Sequence, residues 1–189
     1  SDGAEAAFNI EKYVAELREK LNLVKEENHI EKTSKVEEKE SEFLDSHLKE
    51  QLSEIVKKFD NPIELVVIKN GDEKSLEMEG IVKEIASVSD KLKFSSYNLG
   101  DNPQLEEKIK LNRAPVIALL DKEGNYSGIK YATIPGGHEL NSFILAMYNV
   151  AGPGQKIGED TLSKIFNIKN PIDIKIGISL SCTKCPDTV

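Results

Sequence analysis

The sequence predicts an α/β fold in which helices connect parallel strands and a two-stranded hairpin closes the sheet. Three observations support this fold class. Between residues 44 and 151, segments with apolar residues at helical spacing alternate with short, almost continuously apolar runs that are typical of strands. Turn residues, among them Asn-Pro and Gly, separate these segments. The pattern of an apolar helix, Asn-Pro-Ile and an apolar strand then begins again 109 residues later.

The first half of this unit is expected to contain two helices and two strands. A helix with one apolar face precedes "DNP" (60–62), which ends it. "IELVVI" (63–68) is expected to be a buried strand because it is almost continuously apolar. Asp72 opens a second helix, and "LKFSSYNL" (92–99) forms the second strand.

The second half adds a short helix, a hairpin and a final helix. "NPQLEEKIKL" (102–111) has the pattern of a short helix, while "PVIALLD" (115–121) and "YSGIKYAT" (126–133) are strands joined by a Gly-containing turn. An apolar helix then runs to "AGPG" (151–154). The order α-β-α-β-α-β-β-α over residues 44–151 is that of a thioredoxin-like fold, with helices on both faces of the sheet.

An internal repeat indicates a second, incomplete copy over residues 152–189. "NPIEL" at 61–65 is echoed by "NPIDI" at 170–174, each after an apolar helix. A shift of 109 residues places Cys182 opposite Glu73 and Cys185 opposite Leu76. Cys182 is therefore expected to follow the strand "IDIKIGISL" at the opening of a helix. The first copy has no thiol there and is expected to be redox-inert.

Two further segments precede these units. Residues 1–23 have the apolar spacing of a helix, whereas residues 24–43 form a charged linker: of the 19 residues 24–42, 11 are Lys or Glu. We interpret this linker as a tether rather than a recruiting surface, with a reach as flexible coil on the order of 25 Å. The net charge of −8 argues against nucleic-acid binding, and no apolar run is long enough to span a membrane.

The chemistry of the chain is expected at its two cysteines, Cys182 and Cys185. A thiolate is the attacking species in disulfide exchange, and a C-x-x-C pair at a helix opening favours it. Cys182 is the predicted nucleophile and Cys185 the predicted resolving thiol. Two alternatives remain open: a zinc half-site, for which His29, His47 and His138 are not spaced as a second pair, and two merely reduced thiols.

Pro115 and Glu139 are candidate modulating residues. Pro115 precedes a strand where thioredoxin-like folds hold a cis proline, and a structural role is favoured for it in the thiol-less copy. His138 and Glu139 open a helix, where capping and dipole compensation explain them. A carboxylate at that place also raises the pKa of a dithiol that it faces.

Residues 44–189 resemble the N-terminal region of the flavoprotein subunit of bacterial alkyl hydroperoxide reductase, the AhpF type. The matching features are "NPIEL", "SDKLKF", the Arg-Ala-Pro before the third strand, "GHEL" and above all "SLSCTKCPD". That region is a tandem of two thioredoxin-like folds, of which only the second carries C-x-x-C. The resemblance implies that Cys182 and Cys185 pass electrons to a peroxiredoxin and that Glu139 lies near them.

The first residues show a second resemblance. "SDGAEAAFNIEKYVAEL" (1–17) is similar to the last helix of thioredoxin reductase flavoproteins. Together the two resemblances imply a fusion of a reductase core, the tether and the tandem, of which this chain is a fragment that is inactive alone. FAD and NAD(P)H would be bound by the flavoprotein core of the same polypeptide, since no G-x-G-x-x-G occurs here.

The implied function is therefore that of a redox relay in a cytoplasmic disulfide reductase for peroxide detoxification and redox homeostasis. Electrons would pass by thiol–disulfide exchange to a peroxiredoxin or a thioredoxin-like acceptor. The alternative is a non-catalytic thioredoxin-like module that docks a redox partner, because the one complete unit carries no cysteine.

Overall fold

The structure, a computed structural model, describes residues 43–179 and 181–189. The predicted helix at 1–23 and nearly all of the linker at 24–43 lie outside the described residues. In chain order the elements are α1 (Ser46–Lys57), β1 (Ile63–Lys69), α2 (Glu73–Ala86), β2 (Leu92–Asn98), α3 (Pro103–Lys108), β3 (Val116–Leu120), β4 (Tyr126–Tyr131), α4 (Glu139–Ala151), α5 (Glu159–Phe166) and α6 (Cys185–Thr188).

The four strands form one mixed sheet in the order β2-β1-β3-β4. β1 pairs parallel with β2 and antiparallel with β3, while β3 and β4 form the antiparallel hairpin. The α2 crossover joins the parallel pair, as a parallel connection requires. Residues 44–151 thus have the thioredoxin-like fold that the sequence predicts.

Both faces of the sheet are buried, which explains the continuous apolar run of β1. On one face Leu65 and Val67 pack in the larger core cluster, together with apolar residues of α1, α2 and α4. On the other face Val66 and Ile68 pack in a smaller cluster with Ile109 and with residues of β3. Alternate residues of one strand therefore serve two cores.

Local caps set the beginnings of the helices in this unit. Leu48 N donates to Asp45 Oδ1 at 2.7 Å, and Ser75 N donates to Asp72 Oδ1 at 2.7 Å. Each bond satisfies an N–H that has no partner within its helix. The sequence prediction that Asp72 opens a helix is confirmed.

The repeat is only half reproduced in three dimensions. α5 ends at Phe166, which is 109 residues after Lys57, the last residue of α1, so the predicted register holds for the helix. The predicted strand at 172–180 is wrong: residues 171–179 form no strand, and Ile172, Ile174 and Ile176 are exposed. A strand needs a hydrogen-bonding neighbour, and no described segment pairs with this one.

No helix in the described part of the chain is long and apolar enough to cross a membrane.

Candidate functional site

The two cysteines lie at the turn that follows the extended segment 171–179. Both are free and half-buried. Cys182 N donates to Ser179 O at 2.8 Å, which closes the turn, and α6 then begins at Cys185. α6 packs against α4, so the dithiol is close to the first thioredoxin-like unit.

The helix begins later than the repeat predicts. In the first copy Glu73, the counterpart of Cys182, is the first residue of α2, whereas Cys182 precedes α6 by three residues. The difference follows from the cap. Asp72 caps α2, but its counterpart Ser181 places its hydroxyl 3.0 Å from that of Ser179, and α6 has no side-chain cap. The prediction that Cys182 opens the helix is therefore corrected.

The two thiols have opposite electrostatics. A hydrogen bond from Cys185 and the backbone N–H groups of Lys184 and Cys185 lower the pKa of Cys182, against burial and the charge of Glu139. The pKa of Cys185 is raised, chiefly by its hydrogen bond to Cys182 and also by burial and by the charges of Cys182 and Glu139. Cys182 is thus the thiol that ionises first, and the thiolate is the nucleophile.

Glu139 is the first residue of α4, and its side chain is fully buried. Its Oε2 accepts a hydrogen bond from Ser142 Oγ at 2.9 Å. Its Oε1 has no hydrogen-bond partner among the described residues. The structure brings this carboxylate close enough for its charge to act on both thiols, as the resemblance implies.

His138 and Pro115 occupy different surroundings. His138 is the N-cap residue of α4 but forms no side-chain capping bond. The Ala114–Pro115 peptide bond is cis, as the sequence predicts, and Pro115 leads into β3 of the first unit. In the described part of the chain no hydrogen bond joins Pro115 to the dithiol. A second cis bond, Gly152–Pro153, was not predicted.

Two residues of this site escape the sequence reasoning. Ser142 is the hydrogen-bond donor to Glu139, and the phenol of Tyr131 is in turn a hydrogen-bond partner of Ser142. The spacing Glu-x-x-Ser at a helix opening is a signal for the first contact. The contact with Tyr131 depends on the packing of β4 against α4, which no local pattern reveals.

In the segments that the structure describes, no third His, Cys, Asp or Glu joins the thiols in a group that can hold a metal ion. The chemistry that this donor set supports is thiol–disulfide exchange between two neighbouring sulfurs, one of low and one of high pKa.

Comparison with known proteins identifies the family. The structure of a cysteine mutant of AhpF, from the alkylhydroperoxide reductase of Enterococcus faecalis, superimposes with a TM-score of 0.69 and 32% sequence identity, over 78% of this chain and 71% of that chain. The chain belongs to the AhpF N-terminal domain family. The N-terminal domain of the same Enterococcus faecalis protein matches this AhpF-type chain with a TM-score of 0.68, over 77% of this chain and 70% of that one.

Curated relatives agree with this assignment of the AhpF-type chain. The AhpF protein of the alkyl hydroperoxide reductase of Staphylococcus aureus is 31% identical over 147 residues, which are 78% of this chain and 26% of the relative. The chain thus spans about a quarter of the length of these relatives. A protein disulfide oxidoreductase from Aeropyrum pernix shares the fold, with a TM-score of 0.65 at 20% identity. No protein-family model matches the chain.

Proposed function

We propose that residues 44–189 belong to the electron-relay module of a flavoprotein disulfide reductase and that Cys182 and Cys185 carry the electrons. The observation that carries this proposal is the asymmetric dithiol: two hydrogen-bonded sulfurs, one with a lowered and one with a raised pKa, beside the buried Glu139. Membership of the AhpF family supports the same chemistry.

The proposed step balances within thiol–disulfide exchange. The Cys182 thiolate attacks one sulfur of an acceptor disulfide, forms a mixed disulfide and releases the second acceptor sulfur, which takes a proton. Cys185 then loses its proton and attacks Cys182, which releases the first acceptor sulfur as a thiol. The acceptor gains two electrons and two protons, and Cys182–Cys185 becomes a disulfide. We assign Glu139 to the proton that Cys185 must lose, and Pro115 to a structural role in the first unit.

The electrons would come from a flavoprotein core of the parent polypeptide that binds FAD and NAD(P)H. FAD accepts a hydride from NAD(P)H and passes electrons on to a disulfide. The acceptor would be a peroxiredoxin or a thioredoxin-like protein, in keeping with the hydroperoxide reductase named for the relatives. None of the described residues here forms a dinucleotide-binding motif.

The relay is tested by following the mass of the chain through reduction and oxidation. After dithiothreitol, both thiols of the wild type should be alkylated; after oxidised glutathione, neither should be, and the mass should fall by two hydrogens. Cys185→Ser should accumulate a glutathione mixed disulfide on Cys182, whereas Cys182→Ser should not form the internal disulfide. A wild-type chain whose thiols never cycle would rule out the relay.

A docking module is the second candidate, and one observation favours it. The first unit lacks a dithiol but has an open cleft of about 610 Å³ beside the residues that precede the cis proline, lined by Leu99, Arg113 and Ala114 among others. In the parent reductase, replacement of both cysteines by serine separates the two functions. Activity is retained if this module only docks a partner and is lost if it relays electrons.

A further inference from the structure

We propose that Ser142 and Tyr131 are positioning residues, which hold the Glu139 carboxylate in its buried site and so tune the reactivity of Cys182 and Cys185. This inference rests on the proposed function, because it concerns the dithiol that the relay uses. It adds two residues that touch neither sulfur and act through Glu139.

The first step is the geometry at Ser142, one turn after Glu139 on α4. Ser142 Oγ lies 2.9 Å from Glu139 Oε2 and 2.9 Å from the backbone oxygen of Glu139. A hydroxyl has one proton, so it donates to one of these acceptors at a time. An ionised carboxylate is the stronger acceptor. The hydroxyl therefore donates to Oε2 when Glu139 is charged and to the helix carbonyl when it is not.

The second step is the support behind Ser142. Tyr131, at the end of β4, is buried, and its phenol is a hydrogen-bond partner of Ser142. Its ring packs edge-to-face on Phe143, with ring centroids 5.1 Å apart at 89°. Burial, against the hydrogen bond with Ser142, raises the pKa of Tyr131 to about 12, so the phenol keeps its proton and remains a donor. The donors thus run from Tyr131 to Ser142 to Glu139.

The third step links this chain of donors to the thiols. Burial of an ionised carboxylate is costly unless donors satisfy it, and Ser142 is the one side-chain donor to Glu139 in the described part of the chain. The charge of Glu139 raises the pKa of both cysteines. Around the dithiol the other groups that titrate or carry charge are His138 on α4, Lys184 in the turn and Tyr131 on β4. Whatever stabilises the charge on Glu139 therefore makes the thiols less acidic.

Ser142→Ala is the direct test, with the pH profile of thiol alkylation as the readout. Iodoacetamide is reacted with the reduced full chain between pH 5 and pH 9. Trypsin cleavage after Lys184 places Cys182 and Cys185 on separate peptides, so each thiol is followed by itself. Loss of the donor should lower the midpoint for Cys182 by about half a pH unit, which is roughly threefold faster alkylation on the rising limb of the profile.

Three companions make the result specific. Ser142→Thr keeps the hydroxyl and should restore the wild-type profile, while Tyr131→Phe should shift the midpoint in the direction of Ser142→Ala by a smaller amount. Glu139→Gln should also lower the midpoint. In the Glu139→Gln background, Ser142→Ala should then have no further effect, because the charge through which Ser142 acts is gone.

A Ser142→Ala chain that is folded by circular dichroism and keeps the wild-type midpoint would overturn the inference. So would an equal shift from Ser142→Ala in the wild-type and Glu139→Gln backgrounds, since Ser142 would then act independently of Glu139. Failure of the relay itself is seen separately: the alkylation profile of the reduced thiols is measured without any disulfide cycling.

Discussion

At the scale of single residues, Glu84 on α2 shows how one carboxylate can anchor the start of a fold. Its oxygens accept from Phe43 N at 2.7 Å and pair with Lys49 Nζ at 2.8 Å. The Phe43 ring covers Gly80, where a Cβ would come within 2.6 Å of it. The chain that enters α1 is therefore fixed to α2 by a charged group and a close aromatic contact.

This anchor makes part of the stability depend on pH. Burial raises the pKa of Glu84, but hydrogen bonds from Lys49 and from the backbone of Phe43 and Leu44 outweigh it, and the pKa lies below its ordinary value of 4.5. A carboxyl whose pKa falls on folding stabilises the fold above its unfolded-state pKa. The contribution is lost as the pH falls below about 4.5 towards the folded-state pKa.

Glu84→Gln should therefore lower the free energy of unfolding at pH 7 by about 0.5–1 kcal/mol. The difference from the wild type should shrink below pH 4.5, as the wild-type carboxyl is protonated. Urea unfolding at pH 7 and pH 3.5 measures both effects. Glu54→Gln is the matched control, because Glu54 pairs with Lys57 in solvent; a loss as large as that of Glu84→Gln would contradict the anchor.

Residue type and register were enough to single out Cys182, Cys185 and Glu139, because a C-x-x-C and a carboxylate at a helix opening have local signatures. Ser142 and Tyr131 could not be assigned a role in this way. The hydrogen bond between them joins residues of two elements that are 11 positions apart, and it exists only once β4 and α4 are packed together.

At the scale of elements, two equivalent helix starts behave differently. Asp72 caps α2, whereas its counterpart Ser181 is engaged with Ser179 and leaves α6 without a side-chain cap. The same position in the repeat is therefore structural in one copy and not in the other.

Asp72→Ala should lower the unfolding temperature by roughly 2–6 °C, because one backbone N–H at the start of α2 loses its acceptor. Ser181→Ala should leave it unchanged, since this hydroxyl caps no helix. Differential scanning calorimetry of the two variants beside the wild type makes the comparison. Equal losses would show that Ser181 caps α6 in solution, and no loss at Asp72 would show that its cap carries no stability.

Helices and strands of the first unit were predictable because their signals are local: an Asp or Asn cap, an Asn-Pro stop and an apolar period. The strand at 172–180 has the same signals, with isoleucine at alternate positions, and yet no strand forms in the described residues. Pairing is a property of two segments, and a sequence pattern in one of them cannot provide the other.

At the scale of the whole molecule, burial divides the chain sharply. Every buried apolar residue of the described part lies between Leu44 and Ala151. Beyond this point the large apolar side chains are exposed, with Phe166 75% and Ile174 76% accessible. Since hydrophobic burial supplies most of the stabilising free energy, residues 44–151 are expected to hold nearly all of it.

Limited proteolysis tests this division and with it the predicted domain boundary near residue 151. Trypsin should cut first at Lys164, Lys169 or Lys175, because the backbone there is exposed and outside the sheet, and the product should keep β1 to α4 intact. Mass spectrometry locates the C-terminal end of each product, and calorimetry measures its unfolding temperature. A product that ends near residue 164 should unfold within a few degrees of the whole chain. Early cleavage inside 63–131, or a large fall in unfolding temperature once the C-terminal part is removed, would mean that the second segment supports the first unit through contacts that its exposed isoleucines do not suggest.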